Sequence, residues 1–265
     1  MVAKNLIESI ELQDYEIIGV TPNPDSEDKS NFRVITPADL LSKEFANFDF
    51  ILNFARGYNS LDSKSGVINV IKRFYDETKW IINSSSYAQH YNIASNSDLS
   101  TYLDSKRKVS SLLNSEHFKS KVFDLSFFTL FGDYDKASSL MSKLIPSLIK
   151  NEEIFLTECE QLISYTDVGD VASLLKDLME SPESFTPGAY SFWPTPPVKL
   201  RVIIDDLYRI TESSSLINYG AKSYSGHELF EYSAGIFPPQ ITPNYKWKSY
   251  NSSLECLVSM YNQLL

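Results

Sequence analysis

Through its first half this chain alternates short apolar runs with longer segments whose apolar residues recur at helical spacing, and that alternation constrains its fold most. Residues 15–20, 33–35, 48–54, 80–82 and 122–131 read as buried strands, rich in branched and aromatic side chains. Between them, residues 4–12, 38–45, 64–78 and 99–114 read as amphipathic helices. Parallel strands need a crossover long enough to hold a helix, so the pattern predicts an α/β fold with a Rossmann-like, doubly wound parallel sheet.

From residue 136 the order is less regular. A helix through 150, a hairpin over 154–165 and a helix over 168–179 are expected, then a Pro-rich stretch over 182–197 of the kind that forms substrate-covering lids. Further helices are expected over 199–210 and 254–264, with Pro238, Pro239 and Pro243 marking an extended connection between them. The reading is two interleaved regions, 1–135 built on the sheet and 136–265 forming a smaller α+β subdomain, with no internal repeat.

A chain of 265 residues, 43% hydrophobic and 22% charged, can bury a substantial core. Its formal net charge of -10 argues against a broad basic surface for nucleic acid or anionic lipid, so an anionic ligand must be met locally. Cys159 and Cys256 stand far apart, and His90, His117 and His227 are isolated, which predicts neither a metal site nor a disulfide. The first residues carry charges and no run approaches the roughly 20 apolar residues of a membrane span, so neither signal peptide nor membrane association is expected and the location read is cytoplasmic.

The segment carrying chemistry is Ile81-Ile82-Asn83-Ser84-Ser85-Ser86, followed by Tyr102-Leu103-Asp104-Ser105-Lys106. A tyrosine, with a pKa of about 10 in water, can pass a proton to a carbonyl oxygen at neutral pH when a neighbouring cation lowers that value. Lys106, four residues on, falls on the same helix face, while Asp104 falls on another. A serine at the end of the preceding strand can hold the same oxygen. The plainer alternatives are a solvated Tyr–Lys pair and a serine-rich turn. His90 and Tyr91 read as an exposed loop pair, and Asp133, Asp135 and Lys136 as a solvated helix start. Trp193 with Pro194, Pro196 and Pro197 reads as either a nucleobase cover or a packed turn, and Trp247 as an anchor of the last helix.

With these residues on a Rossmann-like scaffold, the chain resembles the extended short-chain dehydrogenase/reductase family, in particular its nucleotide-sugar epimerases, dehydratases and reductases. Phe127-Phe128-Thr129-Leu130-Phe131-Gly132 resembles the family's strand leading into a Tyr-Gly-Pro turn, and Val168-Gly169-Asp170-Val171 its Val-Asp-Asp-Val helix start. Pro197 to Arg201, Asn218-Tyr219-Gly220-Ala221 and the segment 247–257 resemble the C-terminal part of its dideoxyhexose-forming reductases. The resemblance implies NAD or NADP as cofactor and reduction or epimerisation of a nucleotide-linked 4-keto sugar for surface polysaccharide such as O-antigen, with the nucleotide sugar as partner and a possible homodimer through helices 64–78 and 99–114. It implies Tyr102, Lys106 and Ser86 as catalytic residues, with Ser85 the other choice of hydroxyl. Asn53, Phe54, Ala55, Arg56, Ser84, Tyr102, Lys106 and Phe128 would meet the cofactor, and Ser85, Ser86, Thr129 and Arg201 the substrate.

The chain also departs from the family pattern. No Gly-x-x-Gly-x-x-Gly turn follows a first strand, although such a turn admits the cofactor diphosphate to a helix N-terminus. The first helix starts near Val2, and the run 15–20 matches the family's second strand. The arginine expected after the hairpin stands as Ile163, the Tyr-Gly-Pro turn as Phe131-Gly132-Asp133, and the hairpin glycine as Cys159. Arg201 and Lys143 are the cations that could replace the arginine. The alternative reading is a truncated, non-catalytic member of the same family, marginally stable or self-associating.

Overall fold

The computed structural model of the chain describes all residues except 11–13, 22–31, 43, 44, 46, 56–65, 92–97, 134, 136, 138, 194, 195, 226, 227, 229, 231–236, 243–247 and 265, with the side chains of 98 and 99 also outside the description. Arg56, Lys136, Pro194, His227, Pro243 and Trp247 therefore lie outside the described residues. The first half runs α1 (Val2–Ser9), β1 (Ile17–Val20), β2 (Phe32–Ile35), α2 (Pro37–Ser42), β3 (Phe48–Asn53), α3 (Val67–Phe74), β4 (Thr78–Ser86), α4 (Asp98–Leu113) and β5 (Val122–Phe127). Apart from the consecutive strands β1 and β2, strands and helices alternate among the described residues as their spacing predicts. Thr78, expected at a helix end, opens β4 instead, where its hydroxyl donates to Phe74 O at 2.6 Å and closes the corner.

The second half runs β6 (Thr129–Phe131), α5 (Leu140–Ile149), β7 (Ile154–Phe155), β8 (Leu162–Ile163), β9 (Tyr165–Asp167), α6 (Val168–Glu180), β10 (Gly188–Phe192), β11 (Val198–Lys199), α7 (Leu200–Ile210), β12 (Ile217–Asn218) and α8 (Tyr250–Leu264). Two expectations are corrected here. The hairpin over 154–165 does not form, because β7 pairs with β12, β8 with β11 and β9 with β6. The Pro-rich stretch is not simply a lid, because its segment Gly188–Phe192 joins the central sheet as a parallel neighbour of β5. Tyr190 and Phe192 carry the apolar alternation of a strand there, and the prolines only flank it.

The central sheet has the order β10-β5-β4-β3, all parallel. Successive residues Ile81 and Ile82 are both wholly buried, so both faces of β4 are covered, as a doubly wound sheet requires. On one face α1 and α6 pack through Leu6, Val171, Leu175 and Leu178; on the other α3 and α4 pack through Ile71, Val109 and Leu113. A second core holds α5, α7 and α8 together through Ile145, Leu148, Ile204, Leu207 and Leu254.

The doubly wound parallel arrangement is present, but the sheet is interrupted. β1 and β2 form a separate parallel pair. Thr21 N–H donates to Ile35 O on the β2 side, so the alternate residues Ile18 and Val20 turn their backbone groups to the other edge. Phe48 N–H likewise donates to Glu77 O on the β4 side, and Asp49 and Ile51 turn theirs away. Among the described residues no strand pairs with either edge. Ile17, Phe50 and Leu52 share one apolar cluster, while Ile18, Phe48 and Ile51 share another, so the two open edges lie between the same pair of helix layers.

Candidate active site at the strand ends

Of the sequence-predicted groups, Asn53, Ala55, Ser84 and Lys106 are tied together at the C-terminal ends of β3 and β4, where an open α/β sheet places ligands, whereas Thr129 and Arg201 sit on other elements. Along α4 the buried residues are Leu103, Ser105, Lys106, Val109, Ser110 and Leu113, a helical stripe. The stripe is apolar at both ends, and between them Ser105, Lys106 and Ser110 accompany Val109. Lys106 is 5% exposed, and its ammonium donates to Ser84 O at 2.6 Å and Ala55 O at 2.9 Å. Those carbonyls belong to the end of β4 and the residues just after β3, so one cation ties two strand ends to α4. Tyr102, one turn earlier, is half-buried, with Lys106 Nζ 5.9 Å from its ring centroid. Asp104 faces outward and pairs with Arg107 at 2.8 Å. The Arg107 guanidinium also donates to Gln89 O and Tyr91 O, clamping α4 to the 3-10 turn Tyr87–His90 that follows β4.

The three serines are separated by the strand pleat. Ser84 is half-buried and contributes its backbone carbonyl to Lys106. Ser85 is turned into the interior at 4% exposure, where its hydroxyl donates to Asp124 Oδ1 at 2.5 Å and shares a hydrogen bond with Ser110 Oγ at 2.7 Å. Ser86 is half-buried at the strand end, its Oγ accepting from Ala88 N–H at 3.4 Å. Of the three, Ser86 is the hydroxyl at the mouth of the site. Asn53 is inside as well: Nδ2 donates to Asn83 Oδ1 at 2.7 Å, and Oδ1 accepts Ala55 N–H at 3.1 Å. Phe54 packs against the sheet core.

An aromatic wall stands beyond the ends of β4, β5 and β10. Phe128, at the break between β5 and β6, is 3% exposed and stacks between Tyr87 at 4.7 Å and Trp193 at 5.4 Å, with Phe237 edge-on at 5.2 Å. Trp193 therefore packs on Phe128. His90, expected in an exposed loop, is half-buried instead: its Nε2 lies 3.0 Å from Ser126 Oγ and its ring meets Phe237. Burial pulls its pKa below the ordinary histidine value, favouring the neutral ring. Burial likewise pushes the neighbouring Tyr91 phenol up to about 12. Asp135 accepts from Ser139 Oγ at 2.5 Å at the start of α5, in keeping with a helix-start role.

Thr129 opens β6, its N–H donating to Ser164 O at 3.1 Å. Arg201 sits on α7 with its guanidinium 4.1 Å from the Tyr219 ring centroid, and Tyr219 Oη donates to Asp205 at 3.0 Å. Cys159, where the resembling family has glycine, keeps the left-handed backbone with φ 56°, which costs less for glycine than for a residue with Cβ. Gly132 has φ 124°, and a Cβ there would meet Val168 Cγ1 at 2.7 Å. The residues missed in the sequence are Asn83, Ser110, Asn114 and above all Asp124. One signal was available: Asp124 is the lone charge in a strand that is apolar apart from it and Ser126.

Among the described residues no three His, Cys, Asp or Glu side chains group as metal ligands, and no helix is long and apolar enough to cross a membrane. The fold is that of nucleotide-sugar epimerases and dehydratases. A solved UDP-N-acetylglucosamine 4-epimerase from Methanobrevibacter ruminantium M1 superposes with TM-score 0.73 at 14% identity, covering 100% of this chain and 96% of that one. A UDP-glucose 4-epimerase from Thermotoga maritima superposes at 0.70 with 12% identity, covering 100% and 96%. The dTDP-glucose 4,6-dehydratase from Bacillus anthracis, solved with NAD, superposes at 0.70 with 12% identity, covering 99% and 94%. In sequence, CDP-abequose synthase from Salmonella muenchen is 27% identical over 164 residues, 58% of this chain. The match spans about half of that protein, 54%. No protein-family model matches the chain. In sequence and fold together, the chain resembles the extended short-chain dehydrogenase/reductase family.

Proposed function

We propose that this chain is an NAD(P)-dependent oxidoreductase of nucleotide-sugar metabolism that reduces or epimerises a nucleotide-linked 4-keto deoxy sugar. The observation that carries this reading is the seat of Lys106: a buried ammonium bonded to Ser84 O and Ala55 O, holding the Tyr102 turn of α4 against the strand end where Ser86 lies. Tyr102 supplies or accepts the proton at the sugar carbonyl oxygen, and Ser86 holds that oxygen by hydrogen bond. The nicotinamide supplies or takes the hydride when bound. Asn53, Phe54, Ala55, Ser84 and Phe128 would meet the cofactor, with Arg56 outside the described residues, and Thr129 and Arg201 would meet the substrate. Ser85, spent on Asp124 and Ser110, supports the strand end. Similarity to CDP-abequose synthase favours simple ketone reduction.

The residues fit the two ends of such a cofactor unequally. The strand ends offer the groups that would meet a nicotinamide and a keto sugar. Among the described residues no glycine-rich turn joins a strand to a helix N-terminus. The second reading, a non-catalytic member of the same family, is favoured by Ile163 standing where the resembling family places an arginine. Thermal unfolding with and without millimolar NAD(H) or NADP(H) separates the two, since ligand at 100 times its Kd adds about 2.7 kcal/mol. A rise in Tm carries the enzyme reading forward to Tyr102→Phe, which should abolish turnover and leave cofactor affinity unchanged. No rise in a cooperatively unfolding chain selects the non-catalytic reading.

A further inference from the structure

Asp124 sits in the middle of β5 at 3% exposure, and what meets its carboxylate is a set of neutral donors. Oδ1 accepts from Asn83 Nδ2 at 2.7 Å and Ser85 Oγ at 2.5 Å, and Oδ2 accepts from Asn114 Nδ2 at 2.7 Å. On one side the string continues outward: Asn83 Oδ1 accepts from Asn53 Nδ2, Asn53 Oδ1 accepts from Ala55 N–H, and Ala55 O accepts from Lys106 Nζ. On the other side Asn114 Nδ2 also donates to Ser110 O at 2.8 Å.

An amide side chain has one donor end and one acceptor end, and which is which follows from its partners. Here both termini of the string are backbone groups that cannot reverse. Ala55 N–H must find an acceptor, which sets Asn53 Oδ1 toward it, Asn53 Nδ2 toward Asn83 and Asn83 Nδ2 toward Asp124. Ser110 C=O sets Asn114 Nδ2 toward Asp124 from the opposite side. Two lines of donors therefore converge on residue 124, and a carboxylate accepts both without turning either. An asparagine at that position presents its Nδ2 either to Asn83, where two donors then face each other at a buried cost, or to Asn114, which is exposed and already gives its backbone N–H to Ser110 O.

We propose that Asp124 is the positioning residue for Lys106: its carboxylate sets the direction of the Asn83–Asn53 amide string and thereby fixes both carbonyls that hold the lysine. Ala55 is pinned through Asn53. Ser84 is pinned between Asn83 and Ser85, whose side chains both bond Asp124. This assignment rests on the reading of Lys106 as an active-site group, but its test needs neither cofactor nor turnover.

The proposal makes an unusual demand, that the carboxylate can be moved along the string. With Asn53→Asp and Asp124→Asn together, residue 53 becomes the double acceptor, taking Ala55 N–H and a reversed Asn83 Nδ2. Residue 124 then donates through Nδ2 to Asn83 and Ser85 and accepts from Asn114 through its oxygen, so every group is satisfied again. The experiment is competitive acetylation of the full-length chain with acetic anhydride, reading the Lys106 peptide by mass spectrometry against Lys119, which is exposed. D124N and N53D should each raise Lys106 labelling about fivefold, and the exchanged pair should return it to within about twofold of wild type, a coupling of the size that contacting residues show. Unaltered labelling in both single variants, or an exchanged pair that labels like them, overturns the proposal. Should D124N not fold, recovery of a cooperative unfolding transition in the exchanged pair supports it and an unfolded pair overturns it. Failure to bind NAD(H) with the exchange pattern intact would instead count against the enzyme reading alone.

Discussion

β4 and β1 are both parallel strands carrying paired isoleucines between helix layers, yet they sit in different environments. β4 is paired on both edges, Ile81 and Ile82 are wholly buried, and the polar groups at its end are bonded in a continuous set. β1 is paired on one edge, its Ile17 and Ile18 are only half-buried, and Val20 is 43% exposed. Apolar content alone does not bury a strand; pairing on both edges brings the neighbours whose side chains exclude water.

The largest expected effect that breaks this contrast is at Ile82. Ile82→Ala should cost about 2–5 kcal/mol, the range for emptying a filled core site, whereas Ile17→Ala should cost about 1 kcal/mol because its side chain is only partly withdrawn from water. Denaturant midpoints of the two variants measure the difference, and equal losses would mean that β1 is as closed as β4. Next comes the corner below the site. Gly132→Ala combines a left-handed backbone with the Val168 contact and should cost about 1–3 kcal/mol in the same assay.

Hydrogen exchange sharpens the comparison without mutation. Amides of β4 and β5 should exchange only through global unfolding, and those of Ile18 and Val20 through cheaper local opening. Protection of Ile18 and Val20 equal to that of Ile81 would show the β1 edge to be covered in solution. The smallest effect is electrostatic. Burial is the main cause pushing the Asp170 carboxyl up to about 6, opposed by its bond from Lys248 N–H and helped by the charge of Asp167. A folded value above the unfolded one, about 4, gives stability that is present below that pH and is lost as pH rises through about 6. Asp170→Asn keeps an acceptor for Lys248 and should flatten the Tm profile between about pH 4 and 6; an unchanged slope would remove Asp170 as its source.

Much of the site was legible because its signals are local. Tyr102 and Lys106 share a face wherever that segment is helical, and Ser84 to Ser86 follow an apolar run wherever that run is a strand. Cys159 was legible through comparison with glycine, and its left-handed backbone accounts for the position. What could not be read was the partner of each group. Ser85 and Ser86 are chemically identical in sequence, and only the strand pleat over α4 sends one to Asp124 and the other to the mouth. Gly188–Phe192 hid among prolines because its identity as a strand depends on the β5 edge beside it, and 154–165 resembled a hairpin because each short piece has a pairing edge whose real partner lies far along the chain.

By itself the sequence determined the α/β alternation and the shared helix face of Tyr102 and Lys106, since these rest on periods of two and of three to four residues that any window of chain displays, and its motifs carried the family resemblance. Only the tertiary structure decided that the sheet is interrupted between β1 and β3, that β10 closes its far edge, and that a buried aspartate sets the direction of the hydrogen bonds reaching Lys106. Those are properties of backbone edges and amide ends, which look the same in every residue until another segment arrives to satisfy them.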